Sequence, residues 1–96
     1  MASYPFRIRI SPDVIAQEVL LGETLLLDVK RLVYFGLDET GSEVWRVIGK
    51  YADGDEAYAR LRDSSGLDEA SLEHRFTQII KGLERSRIIS LEPVTT

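Results

Sequence analysis

A three-stranded antiparallel sheet followed by three helices, an α+β arrangement of winged-helix-turn-helix-like type, is the fold class that the sequence predicts. Three observations carry it. Two short segments rich in leucine, β-branched and aromatic residues, Thr24 to Asp28 and Leu32 to Leu37, flank the tetrad Asp28-Val29-Lys30-Arg31, which is about the length of a hairpin loop. The run Leu37-Asp38-Glu39-Thr40-Gly41 then turns strand into helix, because the Asp38 carboxylate can accept from free N–H groups of a first helical turn and Glu39 adds charge that the helix dipole favours. Finally, Leu72, Phe76, Ile79, Ile80 and Leu83 fall on one face of a helix.

The elements follow in order. Phe6, Ile8 and Ile10 alternate with Arg7 and Arg9, a two-residue period that suits a lead-in strand. Met1 to Pro5 and Pro93 to Thr96 read as loose tails, with the core of a single domain over about residues 11–91. Val14 to Leu21 is expected as the first strand of the sheet, closed by Gly22-Glu23. After the hairpin, helix one is expected from Glu39 to Lys50, burying Val44, Trp45 and Ile48. Helix two starts at Asp53, which has capping-box spacing to Glu56, and presents Ala57, Tyr58 and Leu61. Ser64-Ser65-Gly66 stops it, with Gly66 suited to a left-handed residue. Asp68 caps helix three, and Ile88, Ile89 and Leu91 form a closing segment of open type.

Composition narrows the function classes. Ninety-six residues with 44% hydrophobic content suit one modest core and exclude large catalytic architectures. The absence of cysteine removes disulfides, thiolate metal sites and cysteine nucleophiles together, and it fits a reducing compartment. No apolar run approaches the roughly 18 residues that span a bilayer, and the N-terminal residues lack a signal-peptide core, so the expected address is the cytoplasm. The lone His74 has no second histidine beside it, and the acids Asp53, Asp55, Glu56, Asp68 and Glu69 stand where helix starts favour them. Thr40-Gly41-Ser42 lacks the glycine spacing and lysine of a phosphate loop. Trp45, with Tyr51 and Tyr58, reads as core rather than a stacking platform. No enzyme, metal or cofactor is expected.

Several segments stand in a distinctive order and spacing: Ser11-Pro12-Asp13-Val14, Gly22-Glu23-Thr24-Leu25-Leu26-Leu27-Asp28, Tyr34-Phe35-Gly36-Leu37-Asp38 with Thr40-Gly41 and Val44-Trp45, and Ile79-Ile80-Lys81-Gly82-Leu83 leading to Ile88-Ile89. Together they resemble the PqqD-like family of small peptide-recognition proteins. The chain departs from the family pattern at Asp38, where Asn is usual, at Arg75, where an acid is common, and at Arg87, where Gly often precedes the closing apolar pair. The resemblance implies a noncatalytic adaptor that binds the leader of a ribosomally made precursor peptide and presents it to a tailoring enzyme, such as a radical-SAM enzyme, a leader peptidase or a cyclase. It also implies the binding mode: the leader adds as a strand between the hairpin's second strand and helix three. On that basis Leu32, Val33, Tyr34, Phe35, Gly36 and Leu37 line or support one wall, and Arg75, Gln78, Ile79, Gly82 and Leu83 the other. One alternating set on the strand must face the core, and the sequence leaves open which.

Two glycines bear on that picture independently. Gly36 interrupts a bulky strand, which often marks a bulge or the approach of another backbone, and Gly82 sits inside helix three, where it costs about 1 kcal/mol relative to Ala. Helix three and its exit also carry His74, Arg75, Lys81, Arg85 and Arg87, a basic surface on a chain of net charge -4. Such a surface suits an acidic leader, or it is a solvated face. The same residues would serve a winged-helix DNA-binding regulator, the alternative reading. Net acidity, Glu73 and Glu84 on the same helix and the lack of a basic arm favour the peptide over nucleic acid. An open sheet edge also permits a homodimer.

Overall fold

The computed structural model describes residues 3–94. Its centre is an antiparallel sheet of three strands in the order β2 (Val14–Glu18), β3 (Thr24–Asp28) and β4 (Val33–Leu37). Three helices follow, α1 (Glu39–Lys50), α2 (Gly54–Ser64) and α3 (Glu69–Arg85). A second, two-stranded sheet joins β1 (Phe6–Ile10) to β5 (Ile89–Pro93).

The helices begin where their capping residues place them. Asp38 accepts from the Gly41 amide at 2.8 Å, and Asp53 accepts from the Glu56 amide at 3.0 Å. Each satisfies an N–H that the helix itself leaves without a partner. Asp68 stands at the N-cap of α3 with extended backbone but makes no side-chain capping bond. The apolar stripe of α3 is buried as its spacing predicts: Leu72, Phe76, Ile79, Ile80 and Leu83 all lie inside. Val44 and Ile48 of α1, Ala57, Tyr58 and Leu61 of α2, and Leu26 and Leu37 of the sheet close around them. Thr24 donates to Ser42 at 2.7 Å within this core, tying β3 to α1 with both hydroxyls buried.

Several expectations are corrected. The strand expected over Val14 to Leu21 ends at Glu18, because Leu21 takes φ 63° inside a short 3-10 turn, Leu20–Gly22, that no strand can continue. The hairpin's second strand starts at Val33 rather than Leu32, whose φ of 56° belongs to the turn. Trp45 is half-buried against the core rather than inside it. Gly66 is not in the left-handed region; α2 ends instead on an extended Ser65, while the Ser64 hydroxyl contacts the carbonyls of Arg60 and Leu61.

The largest correction concerns the ends of the chain. The lead-in strand and the closing segment pair with each other, Ile8 opposite Leu91 and Ile10 opposite Ile89, with Arg9 and Glu92 bridged at 3.3 Å. Tyr4, expected in a loose tail, is buried in an aromatic cluster with Tyr58 and Phe76, ring centroids 4.9 and 4.7 Å away. Its amide donates to Asp55 at 2.6 Å, and Val94 donates to the carbonyl of Pro5. This crossing explains Gly54: a Cβ there would lie 2.6 Å from the Tyr4 carbonyl oxygen. The core therefore begins before residue 11, and the expected tails at Met1, Ala2, Thr95 and Thr96 lie outside the described residues.

Candidate binding cleft between the edge strand and the last helix

Among the described residues β4 pairs with β3 alone, so its outer N–H and C=O groups form a sheet edge. The helix α3 runs past this edge in the opposite direction, and three contacts span the pair. At one end the hairpin turn reaches over: the Arg31 guanidinium donates to the Ser86 carbonyl at 2.6 Å, just beyond α3. In the middle the Phe35 ring lies on Gly82, where a Cβ would stand 3.3 Å from Cζ. At the other end Arg75 on α3 bonds Asp38, at the strand-to-helix junction, at 2.6 Å. The strands β1 and β5 pair with each other rather than with this edge.

The hairpin turn owes its shape to Asp28. Its carboxylate, almost fully buried, accepts from the amides of Lys30 and Arg31 at 3.0 and 2.9 Å and from Arg31 Nε at 2.9 Å. These bonds, led by the Arg31 amide and then the Arg31 side chain, hold the carboxyl below its ordinary value. The turn thereby points the Arg31 guanidinium at the end of α3.

A cleft of about 280 Å³ lies between the middle and far contacts, lined by Phe35, Gly36, Leu37, Asp38, Gly41, Arg75, Gln78 and Ile79. A second hollow, of about 520 Å³, shares Gly36, Leu37 and Asp38 and continues to Val19, Glu23, Thr24 and Leu25. The end of β4 is thus flanked by open space on two sides.

Six residues expected from the sequence meet in this cleft: Phe35, Gly36, Leu37, Arg75, Gln78 and Ile79. The open question of face is answered by register. Phe35 lies opposite the fully buried Leu26 and Leu37 opposite the buried Thr24, so this set points inward, while Tyr34 and Gly36 lie on the outer face opposite Leu27 and Leu25. Gly82 borders the cleft through the Phe35 ring. Leu83 is fully buried and lies behind the wall as core, because its position on the helix belongs to the apolar stripe rather than to the flank of Gly82. Leu32, Val33 and Tyr34 stand outside the cleft, exposed at the hairpin end. Among the described residues nothing lies within 4 Å of a Cβ added at Gly36, so none of them requires a glycine there.

Sequence reasoning missed Asp38 and Gly41 as lining residues, and the contact of Arg31 with Ser86 at the hairpin end. The complementary charge of Asp38 and Arg75 was visible, but 37 positions separate them. Of the basic residues on α3 and its exit, His74, Lys81, Arg85 and Arg87 are exposed, and Arg75 alone lines the cleft. Among the described residues no cluster of His, Asp and Glu is arranged to hold a metal ion, and no helix is long and apolar enough to cross a membrane.

Comparisons with known proteins agree with this architecture. A solved structure, TbiB1 in complex with the TbiA(beta) leader peptide, superposes with a TM-score of 0.73 over 85% of this chain and 94% of the other, at 22% identity, which establishes the shared fold. The curated proteins gave no match. The family of coenzyme PQQ synthesis protein D matches over residues 23–89, which holds the whole hairpin and all three helices. Spanning well over half of the sequence, that match places the chain in the PqqD family.

Proposed function

We propose that this protein is a noncatalytic adaptor that takes the leader of a ribosomally synthesised precursor peptide as an added strand on β4 and presents it to a tailoring enzyme. The observation that carries this reading is the uncovered edge of β4 facing a cleft whose opposite wall is α3. A guest strand placed there completes the β4 hydrogen-bond ladder, and its inward side chains meet Phe35, Leu37 and Ile79. Main-chain bonds supply affinity and the apolar floor supplies choice. The complex of the similarly folded TbiB1 with a leader peptide supports the same reading.

The adaptor's contribution is effective concentration. An enzyme that holds the modified part of a precursor weakly gains when the leader is tethered close by, as linked sites gain by roughly 10²–10⁴ in avidity. Radical-SAM enzymes, cyclases and leader peptidases are all partners of the right kind, and the cytoplasm, where precursors are made, is the expected place.

The test is fluorescence anisotropy with labelled peptides tiled across the short reading frames encoded beside this gene, run against labelled duplex DNA at low salt. Saturable binding of one peptide segment, weakened in Arg75→Glu and Gly82→Leu, is the expected result. Binding of duplex without any peptide would replace this reading with a transcriptional regulator.

A further inference from the structure

The far end of the cleft is closed by a pair of opposite charges, and each partner is already committed. Arg75 Nη2 meets Asp38 Oδ2 at 2.6 Å, while Arg75 Nη1 donates to Gln78 Oε1 at 3.2 Å. The other Asp38 oxygen caps α1 through the Gly41 amide. Arg75 is the only base among the residues that line the cleft, and about two-thirds of its side chain is covered. Its charge is therefore neutralised from within the protein before any guest arrives.

We propose that Asp38 is the residue that sets the charge preference of the cleft: by holding Arg75 it withdraws the cation, so the protein favours leader strands that are neutral where they pass the end of β4. This inference rests on the strand-addition reading. A guest carboxylate at that point would face Asp38 without a free guanidinium, and could gain Arg75 only by displacing Asp38 from it. A basic α3 thus does not imply an acidic leader, because the base that reaches the cleft is the one with an internal partner.

Asp38→Asn isolates the effect. Asparagine caps a helix as well as aspartate does, so the amide oxygen keeps the Gly41 bond while the charge on Arg75 is released. Arg75→Gln gives the opposite perturbation, leaving Asp38 without its cation. The probe is the tightest-binding labelled peptide of the tiled set, synthesised with Gln and with Glu at each position in turn. The Gln-to-Glu comparison cancels changes in fold or overall affinity. At the position that lies beside Asp38, wild type is expected to prefer Gln. Asp38→Asn is expected to shift the ratio toward Glu by about 3- to 10-fold, the range for a half-exposed arginine–carboxylate contact. Arg75→Gln is expected to shift it further toward Gln. An identical ratio profile in all three proteins, with peptide binding intact, overturns the role of Asp38 alone. Failure of wild type to bind any peptide of the set removes the strand-addition reading, and this inference with it.

Discussion

Replacing Arg87 with glycine is expected to make the protein more stable, although it deletes a large side chain. Arg87 follows α3 with φ 60°, in the left-handed region. Around it the Arg87 amide bonds the Glu84 carbonyl at 3.0 Å and the Ile88 amide bonds the Leu83 carbonyl at 3.0 Å, the two bonds of a Schellman motif, with Ile88 and Leu83 both buried. The position after such a helix end is the one glycine fills at no steric cost, and an L-residue there costs about 1–2 kcal/mol. Glycine in turn loosens the unfolded chain, which offsets about 0.4–1 kcal/mol. The net gain is about 0.5–1 kcal/mol, or about 2–8 °C in Tm for a domain of this size. Arg87 itself is exposed and makes no ion pair among the described residues. Arg87→Ala keeps the backbone strain and should therefore lie within about 0.5 kcal/mol of wild type. Urea unfolding with an unchanged slope measures both. A drop in midpoint for Arg87→Gly, or a large drop for Arg87→Ala, would show that the guanidinium rather than the backbone governs this joint.

Tyr58→Phe should raise stability by about 1 kcal/mol, because the buried Tyr58 hydroxyl has no hydrogen-bond partner among the described residues; a loss in the urea midpoint would reveal a partner for it. Gly82→Ala should be mildly stabilising, by about 0.5 kcal/mol, since the helical gain of about 1 kcal/mol exceeds the cost of moving the half-buried Phe35 ring away from a Cβ at 3.3 Å. A clear loss would mean that the ring cannot yield. Asp28, held below its ordinary value of 3.8, contributes stability that is complete above that value and is lost as pH falls through the lower folded value. The stability difference between wild type and Asp28→Asn, followed by acid titration, should accordingly shrink below about pH 4, and a difference independent of pH would contradict the hydrogen-bonded carboxylate.

What could be read from the sequence was what is local. Asp38 and Asp53 announce their helices because a cap is a contact with residues two or three positions ahead, and the α3 stripe declares its buried face through period alone. The β1–β5 pairing was hidden for the converse reason: alternation in Phe6–Ile10 indicates a strand but not a partner some eighty positions away. Tyr4 was invisible as core because a single aromatic among short-range irregular residues has no period. At the cleft, Gly82 stood out as an anomaly in a helix, yet its cause, the Phe35 ring, exists only in three dimensions. Leu83, next to Gly82 in sequence, lies in the core rather than on the cleft wall, because neighbouring helical residues point about 100° apart. The Arg31 and Arg75 contacts at the two ends of the β4–α3 pair likewise join residues 55 and 37 positions apart.

The central claim is that β4 accepts a guest strand, and amide hydrogen exchange resolved by residue tests it most directly. In an antiparallel ladder every second amide of β4 already bonds β3, and the others point outward. On adding the bound peptide, the outward amides within Val33–Leu37 should slow while the inward ones change little. Tight peptide binding with every β4 amide unchanged, and protection appearing on another face, would contradict the account.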